Sequence, residues 1–279
     1  MISVKQKSDI SGSRPGRLSD MGDFRLHYLF SSASVESANL PTIIIEAGCG
    51  FPFIIYSRLY QKLSKHLSIF CYDRAGLGWS EESHQARDAE QITTHLHTLL
   101  NKVDISGPKI LVGHSIAGLY LRIYAHKYPN DIVGLVLLDS SHPQQYELLE
   151  FDEFPFGRRL LYRTLGLCAY LKVAHLFDPL LDLNSSFARD LPFRVINQVL
   201  YLSQFKQTYI TPLKEFDSFC ASAKQALSDG DLDDLPLLVV SGPNRDDTYF
   251  PSKQGRKRFV KDWMLLQHDL LKLSADSEH

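Results

Sequence analysis

Five short runs of almost unbroken apolar residues, alternating with longer segments of helical spacing, constrain this chain more than any other feature. They are Thr42–Gly48 (TIIIEAG), Ser68–Arg74 (SIFCYDR), Lys109–Ser115 (KILVGHS), Ile132–Asp139 (IVGLVLLD) and Pro236–Pro243 (PLLVVSGP). A strand that is apolar throughout must be buried on both faces, and a parallel sheet covered by helices on each side does this. The intervening segments fit that reading. Ile54, Ile55, Leu59 and Leu63 recur at helical spacing within 53–67, and 90–100 and 116–127 read as further helices. An earlier run, FRLHYLF from Phe24, reads as the first strand.

The rhythm stops from His142 to about Asp234. That stretch is rich in Leu, Phe and Tyr, is broken near Pro155, Pro179, Pro192 and Pro212, and is too long for a plain loop. Because a strand pattern returns at Pro236, the stretch is an insertion between two sheet strands and not a C-terminal domain. A final helix carries Val260, Trp263, Met264, Leu266 and Leu270. The expected organisation is therefore α/β, a mostly parallel central sheet flanked by helices with a helical cap inserted. Its parts are a flexible N-terminal segment 1–22, a core of 23–141 and 235–279, and a cap of 142–234.

Composition removes several functional classes. With 44% hydrophobic and 22% charged residues the chain can build a core. Thirty Lys and Arg against 32 Asp and Glu give a net charge of −2, which disfavours a nucleic-acid-binding face. The basic run 253–261 reads as a solvated helix face. No apolar stretch approaches the roughly 20 residues of a membrane-spanning helix, and the N-terminus lacks the apolar core of a signal peptide. Cys49, Cys71, Cys168 and Cys220 show no metal-ligand or paired spacing, so the expected setting is the reducing cytoplasm, with no metal and no organic cofactor. His95 and His97 lie two apart on a helix and cannot share a face for a metal ion.

The strongest chemical signal is Gly113-His114-Ser115-Ile116-Ala117-Gly118, between a buried strand and a helix. A nucleophilic serine at a sharp strand-to-helix turn has strained backbone geometry and needs small residues two positions to either side; Gly113 and Ala117 satisfy this. The helix that follows directs its positive N-terminal end at the reacting centre. A second oxyanion donor is expected from the loop after an earlier strand, and Ala47-Gly48-Cys49-Gly50 has the required glycine content. The backbone N–H groups of Cys49 and Ile116 are the two expected donors. A dinucleotide-binding reading of Gly48 and Gly50 is weak, because Phe53 stands where a third glycine belongs.

EAGCG, YDRAGLGWS (Tyr72–Ser80), LVGHSIAGLYLRIYAHKYP (Leu111–Pro129) and GLVLLDSSHP (Gly134–Pro143) together resemble the α/β-hydrolase superfamily, more narrowly its bacterial esterase-like members with a helical lid. The resemblance runs from about Phe24 to the C-terminus, is specific in the first half and is vague across the insertion. It implies acyl transfer to water through an acyl-enzyme on Ser115. The substrate implied is a small ester-like molecule with an apolar part. A serine at the elbow departs from the epoxide hydrolases and haloalkane dehalogenases of the same fold, which carry aspartate there. Asp73 and Arg74 are expected to anchor a turn beside the site.

The resemblance places the acid in the loop after the strand that follows the cap, at Asp246 or Asp247, with Asp139 as the alternative used by some relatives. It places the base, a histidine, after the acid. Only His268 and His279 follow Asp247; His268 lies within a helix and His279 is the final residue, where the last strand would begin. His142 breaks the expected order, and His114 reads as a packing residue. The sequence thus gives a nucleophile and an oxyanion loop with no well-placed base, and the resemblance implies that the last strand, histidine loop and final helix are missing. The other readings are a catalytically impaired or ligand-binding homologue, or a truncated product whose strand at Pro236 is left with an open edge.

Overall fold

The computed structural model describes residues 14–33, 40–149, 156–173, 191–242 and 253–279. Its strands are β1 (Arg17–Asp20), β2 (Arg25–Ser31), β3 (Thr42–Glu46), β4 (Ile69–Tyr72), β5 (Lys109–His114), β6 (Ile132–Leu138), β7 (Leu237–Val240) and β8 (Ser277–Glu278). They form one sheet in the order β1-β2-β4-β3-β5-β6-β7-β8. The β1–β2 and β2–β4 pairs are antiparallel, and all pairs from β4 through β8 are parallel.

Between the first parallel strands lie α1 (Ser57–Leu63), α2 (Ala89–Lys102) and α3 (Ala117–Lys127). Asp88 caps α2 by accepting from the Gln91 N–H at 3.1 Å, and the helix buries Ile92, Leu96, Leu99 and Leu100 along one face. By contrast, α3 is buried along nearly its whole length, from Ala117 to Ala125. The alternation of side chains along each strand splits the core in two. Ile44, Leu111 and Leu135 pack with α2 and α3 on one face; Ile43, Ile45 and Val112 pack on the other, against Phe53, Leu59 and Leu63. Each of these buried side chains contributes roughly 1.5–3 kcal/mol.

Between β6 and β7 come α4 (Gln145–Leu149), α5 (Phe156–Tyr170), α6 (Phe193–Leu202), α7 (Gln207–Asp217) and α8 (Phe219–Ser228); α9 (Lys253–Asp269) follows β7. Every regular element of the insertion among the described residues is a helix. Its α7 reaches the loop that follows β4: the Thr211 hydroxyl donates to the Gly76 carbonyl at 3.0 Å.

Three features differ from the sequence expectation. Arg17–Asp20, within the segment read as flexible, pairs with β2 as β1; four residues are too few for a visible alternation, and the order comes from the ladder to Tyr28, His27, Leu26 and Arg25. The strand beyond β7, read as missing, is begun at Ser277 and Glu278, which pair in parallel with Leu237 and Leu238. Finally, β7 reads as doubly buried, yet Leu238 and Val240 are exposed while Leu237 and Val239 are buried. Near a sheet edge a continuous apolar run no longer guarantees cover on both faces.

Candidate active site

The strand order places the site. β3 connects to β4 on one side, while β5, its neighbour on the other side, connects onward to β6, so the connections leaving the adjacent carboxyl ends of β3 and β5 run in opposite directions and open a crevice there. In the β3–β5 ladder Glu46 stands opposite Gly113. The loop Ala47–Gly50 and the elbow His114–Ser115 therefore emerge side by side.

Ser115 has φ +55°. A serine in this left-handed region costs on the order of 1–3 kcal/mol and persists only where its surroundings fix it. Three backbone bonds do so: its N–H donates to the Leu138 carbonyl at 3.1 Å, and its carbonyl accepts from the Gly118 and Ser141 N–H groups at 3.0 Å each. Space is equally restrictive. A Cβ on Gly113 would lie 2.9 Å from Leu121 Cδ1 and 3.1 Å from the Ala117 backbone, and one on Gly118 would lie 1.8 Å from the Ser140 hydroxyl. Ile116 stands at the N-cap of α3, so its N–H faces outward from the positive end of that helix. The Ser115 side chain is half-buried, and no described residue hydrogen-bonds its hydroxyl.

The loop carrying Cys49 is held by buried charge. Arg74 donates to Glu46 at 2.7 Å, to the Ala47 carbonyl at 2.6 Å, to the Gly48 carbonyl at 2.9 Å and to both oxygens of Glu215 at 2.8 Å. Glu215, on α7 of the insertion, also accepts from the Gly50 N–H at 3.0 Å and from Arg87. Tyr72 donates to the other Glu46 oxygen. Burial would push the Glu215 carboxyl up, but Arg74 and Arg87 more than offset this and hold it at about 2. For Glu46 burial dominates and raises the carboxyl, against the pull of Arg74 and the Tyr72 hydroxyl. A second clamp lies on the loop: the Tyr56 hydroxyl accepts from the Gly48 N–H at 3.1 Å and shares a hydrogen bond with His114 Nδ1 at 2.7 Å.

Sequence reading passed over Glu46, Glu215, Arg87 and Tyr56. Glu46 carried a signal, since a carboxylate ending an otherwise apolar strand requires a buried cation. Glu215 carried none, because its partners are 141 and 128 residues away. Asp73 anchors a turn: its carboxylate accepts from the Phe53 N–H at 2.8 Å and the Trp79 N–H at 3.1 Å and bonds His27 Nδ1 at 2.8 Å. Arg74 does more than anchor a turn, since it fastens the Cys49 loop to the insertion. His114, read as a packing residue, is hydrogen-bonded to Tyr56.

Asp246 and Asp247 lie outside the described residues. Asp139 follows β6 with φ +44°. Its N–H donates to the Val240 carbonyl at 2.7 Å, and its Oδ1 accepts from the Trp263 indole at 2.8 Å. His142 has both ring nitrogens engaged: Nδ1 accepts from the Gln144 N–H at 3.1 Å, which leaves Nε2 to donate to Asp269 at 3.2 Å. Burial lowers the His142 imidazole although Asp269 opposes this, so it is neutral near pH 7. His279 Nε2 lies 2.9 Å from the Ser241 hydroxyl, and its ring meets that of His268 edge-on with centroids 4.4 Å apart. None of these histidines is joined to Ser115 by a hydrogen bond.

A serine at positive φ on a strand-to-helix turn, beside a glycine-containing loop at a switch point of a parallel sheet, is the arrangement of an α/β-hydrolase. Residues 47–269 match the alpha/beta hydrolase family, and the chain belongs to it. Over 113 residues it is 36% identical to the uncharacterized protein YbdG of Bacillus subtilis, covering 40% of this chain and 35% of that protein. Over 100 residues it is 38% identical to the uncharacterized protein YqjL of the same organism, covering 36% of this chain and 40% of that protein. These matches span well under two thirds of either relative. Among solved structures, a "probable hydrolytic enzyme" from Pseudomonas aeruginosa superposes with a TM-score of 0.68 at 15% identity, over 95% of this chain and 86% of that one. The enol-lactonase from Burkholderia xenovorans superposes with a TM-score of 0.60 at 17% identity, over 94% of this chain and 89% of that one. At such identities the likeness is one of fold.

Proposed function

We propose that this protein is a serine hydrolase that cleaves carboxylic esters or related acyl bonds through an acyl-enzyme on Ser115. The observation that carries the reading is the strained Ser115 backbone, held by three hydrogen bonds at the end of β5. Strain stored and over-determined at one polar residue is a mark of a functional position. In the proposed reaction Ser115 Oγ bonds to the acyl carbon as its proton leaves to a base. The oxyanion is met by the N–H groups of Cys49 and Ile116, and collapse expels the alcohol, which takes up the proton. Water then repeats the sequence and frees the acid. Asp246 or Asp247 is the proposed orienting acid; Asp139 is the alternative, with its Oδ1 engaged by Trp263.

The insertion serves as a cap in this reading, and its apolar, aromatic content suits a substrate with a hydrophobic acyl or alcohol part. We place the protein in the cytoplasm on its sequence alone. A fluorophosphonate probe tests the nucleophile: labelling of the chain that disappears in Ser115→Ala supports it, and labelling that persists in the mutant refutes it.

A second reading, a catalytically impaired or ligand-binding homologue, is favoured by one observation: His142, His268 and His279 are each engaged away from Ser115. Hydrolysis of p-nitrophenyl esters separates the two. Ser115-dependent turnover near 1 s⁻¹, a typical enzymatic rate, supports the enzyme. Stoichiometric acylation without turnover supports the impaired homologue.

A further inference from the structure

α5 is amphipathic with its faces reversed for a solvent-exposed helix. Its inner side, through Leu165, Gly166 and Ala169, is buried, with Leu165 and Ala169 packed against Tyr209 of α7. Its outer side presents Phe156 (81% exposed), Leu160 (55%), Leu167 (56%) and Tyr170 (70%), continued by Leu171 (58%) just past the helix end. The spacing 156, 160, 167, 171 is that of a single helical stripe. An exposed stripe of this extent marks a surface that meets something apolar.

The charge around it identifies the occupant. Between Glu153 and Asp178 the sequence contains no acid but has Arg158, Arg159, Arg163 and Lys172, four cations in a chain of net charge −2. Arg159 pairs with Asp217 of α7. Arg163 and Lys172 are exposed, and Lys206 adds a further cation, its Nζ lying 6.0 Å from the centre of the Tyr170 ring. Packing against a second copy would set these cations against their equals. An acyl-chain boundary under anionic headgroups satisfies both halves of the face: apolar side chains enter it, and long cationic side chains reach up to the phosphates. Among the described residues no helix is long and apolar enough to cross a membrane, so contact would lie in the plane of the surface. We infer that the outer face of α5 docks the protein on the surface of an anionic phospholipid bilayer. The inference stands apart from the chemistry at Ser115.

The test is flotation of the pure 279-residue chain with vesicles of phosphatidylcholine alone and of phosphatidylcholine mixed with phosphatidylglycerol. Wild type floats with the mixed vesicles, less so as salt rises and the headgroup charge is screened. Removing an inserted leucine in Leu160→Ser or Leu167→Ser lowers partitioning about tenfold each, and Arg163→Gln or Lys172→Gln about fivefold each. All four side chains are exposed, so unchanged thermal unfolding verifies that the variants remain folded. Absence of flotation overturns the inference, as does flotation that the leucine substitutions leave intact. Concentration-dependent association without vesicles, abolished by the same substitutions, overturns it in favour of a second copy on this face.

Discussion

The carboxyl end of the sheet is finished unequally along its width. At β3 and β5 the Cys49 loop and the Ser115 elbow are fixed by two clamps: Arg74, Glu46, Glu215 and Arg87 form one, and Tyr56 and His114 the other. At β7 and β8 the ladder is two residues long, and His279 turns to Ser241 and His268. One side is over-determined where strain must be held; on the other, His142 has both ring nitrogens engaged and His279 Nε2 meets the Ser241 hydroxyl. The contrast teaches that a place late in the chain does not by itself make a histidine a base: none of His142, His268 and His279 is hydrogen-bonded to Ser115, although only His142 has both ring nitrogens engaged.

The strongest test of this contrast uses Ser115 itself. Ser115→Ala should abolish fluorophosphonate labelling completely. If the chain lends Ser115 no base, as the impaired-homologue reading has it, free imidazole should accelerate labelling of the wild type, because a positioned base is worth about 10²–10⁴-fold and a mobile one recovers part of that. Rates that are already enzyme-like and indifferent to imidazole would show that a histidine of this chain serves the serine, and the contrast would collapse.

Next in size is the buried network. Glu215→Gln leaves Arg74 and Arg87 buried around a neutral group, and breaking such a pair from one side costs about 3–5 kcal/mol. At roughly 2–4 °C per kcal/mol, the unfolding temperature should drop by about 6–20 °C. The matching change near β8, Asp269→Asn, removes a half-exposed partner of His142 and Lys272 and should cost less than about 1 kcal/mol. Equal losses in the two variants would mean that the sides are equally fixed.

Acid titration probes the same difference. Glu215 is held at about 2, below its ordinary value of about 4.3, so its contribution is fully present above pH ~4.3 and disappears as the pH falls towards 2. The loss is on the order of 3 kcal/mol and should be absent in Glu215→Gln, as read from urea unfolding at stepped pH. His142 is also lowered, by burial. For this base the unfolded chain takes up a proton first, so stability falls as the pH drops below about 6.5. His95 and His97 are lowered by burial too and share this window, so His142→Gln should remove only part of the slope, and the part it removes locates that share of the effect away from Ser115.

What could be read in the sequence follows the range of the interactions. TIIIEAG, KILVGHS and IVGLVLLD announced their strands because burial on both faces writes itself into consecutive residues. The elbow was legible because Gly113 is excluded from being larger by Leu121 and the Ala117 backbone, only a few positions along the chain. The Glu215 clamp was not, since it joins segments more than a hundred residues apart and leaves no local pattern. β1 and β8 were missed for a different reason: four and two residues show no period, and their order comes from a neighbouring strand.

The smallest expected effect decides which region supplies the acid. Asp139 sits at φ +44°, a conformation asparagine accepts readily, and its Oδ1 takes the Trp263 N–H at 2.8 Å. Asp139→Asn keeps an oxygen for that bond, so the stability loss should be under about 1 kcal/mol, within the usual worth of one hydrogen bond. If Asp139 is an anchor between β6 and α9, the rate at which a fluorophosphonate labels Ser115 should be unchanged. If instead it orients a histidine, the amide would favour the wrong tautomer and the rate would drop by about three to four decades even though the fold survives. Trp263→Phe separates the two further: it removes the indole donor without touching the carboxylate. Trp263 is buried, so the smaller ring costs stability in either case; the labelling rate discriminates, staying unchanged for an anchor and changing for a catalytic carboxylate freed from its tether.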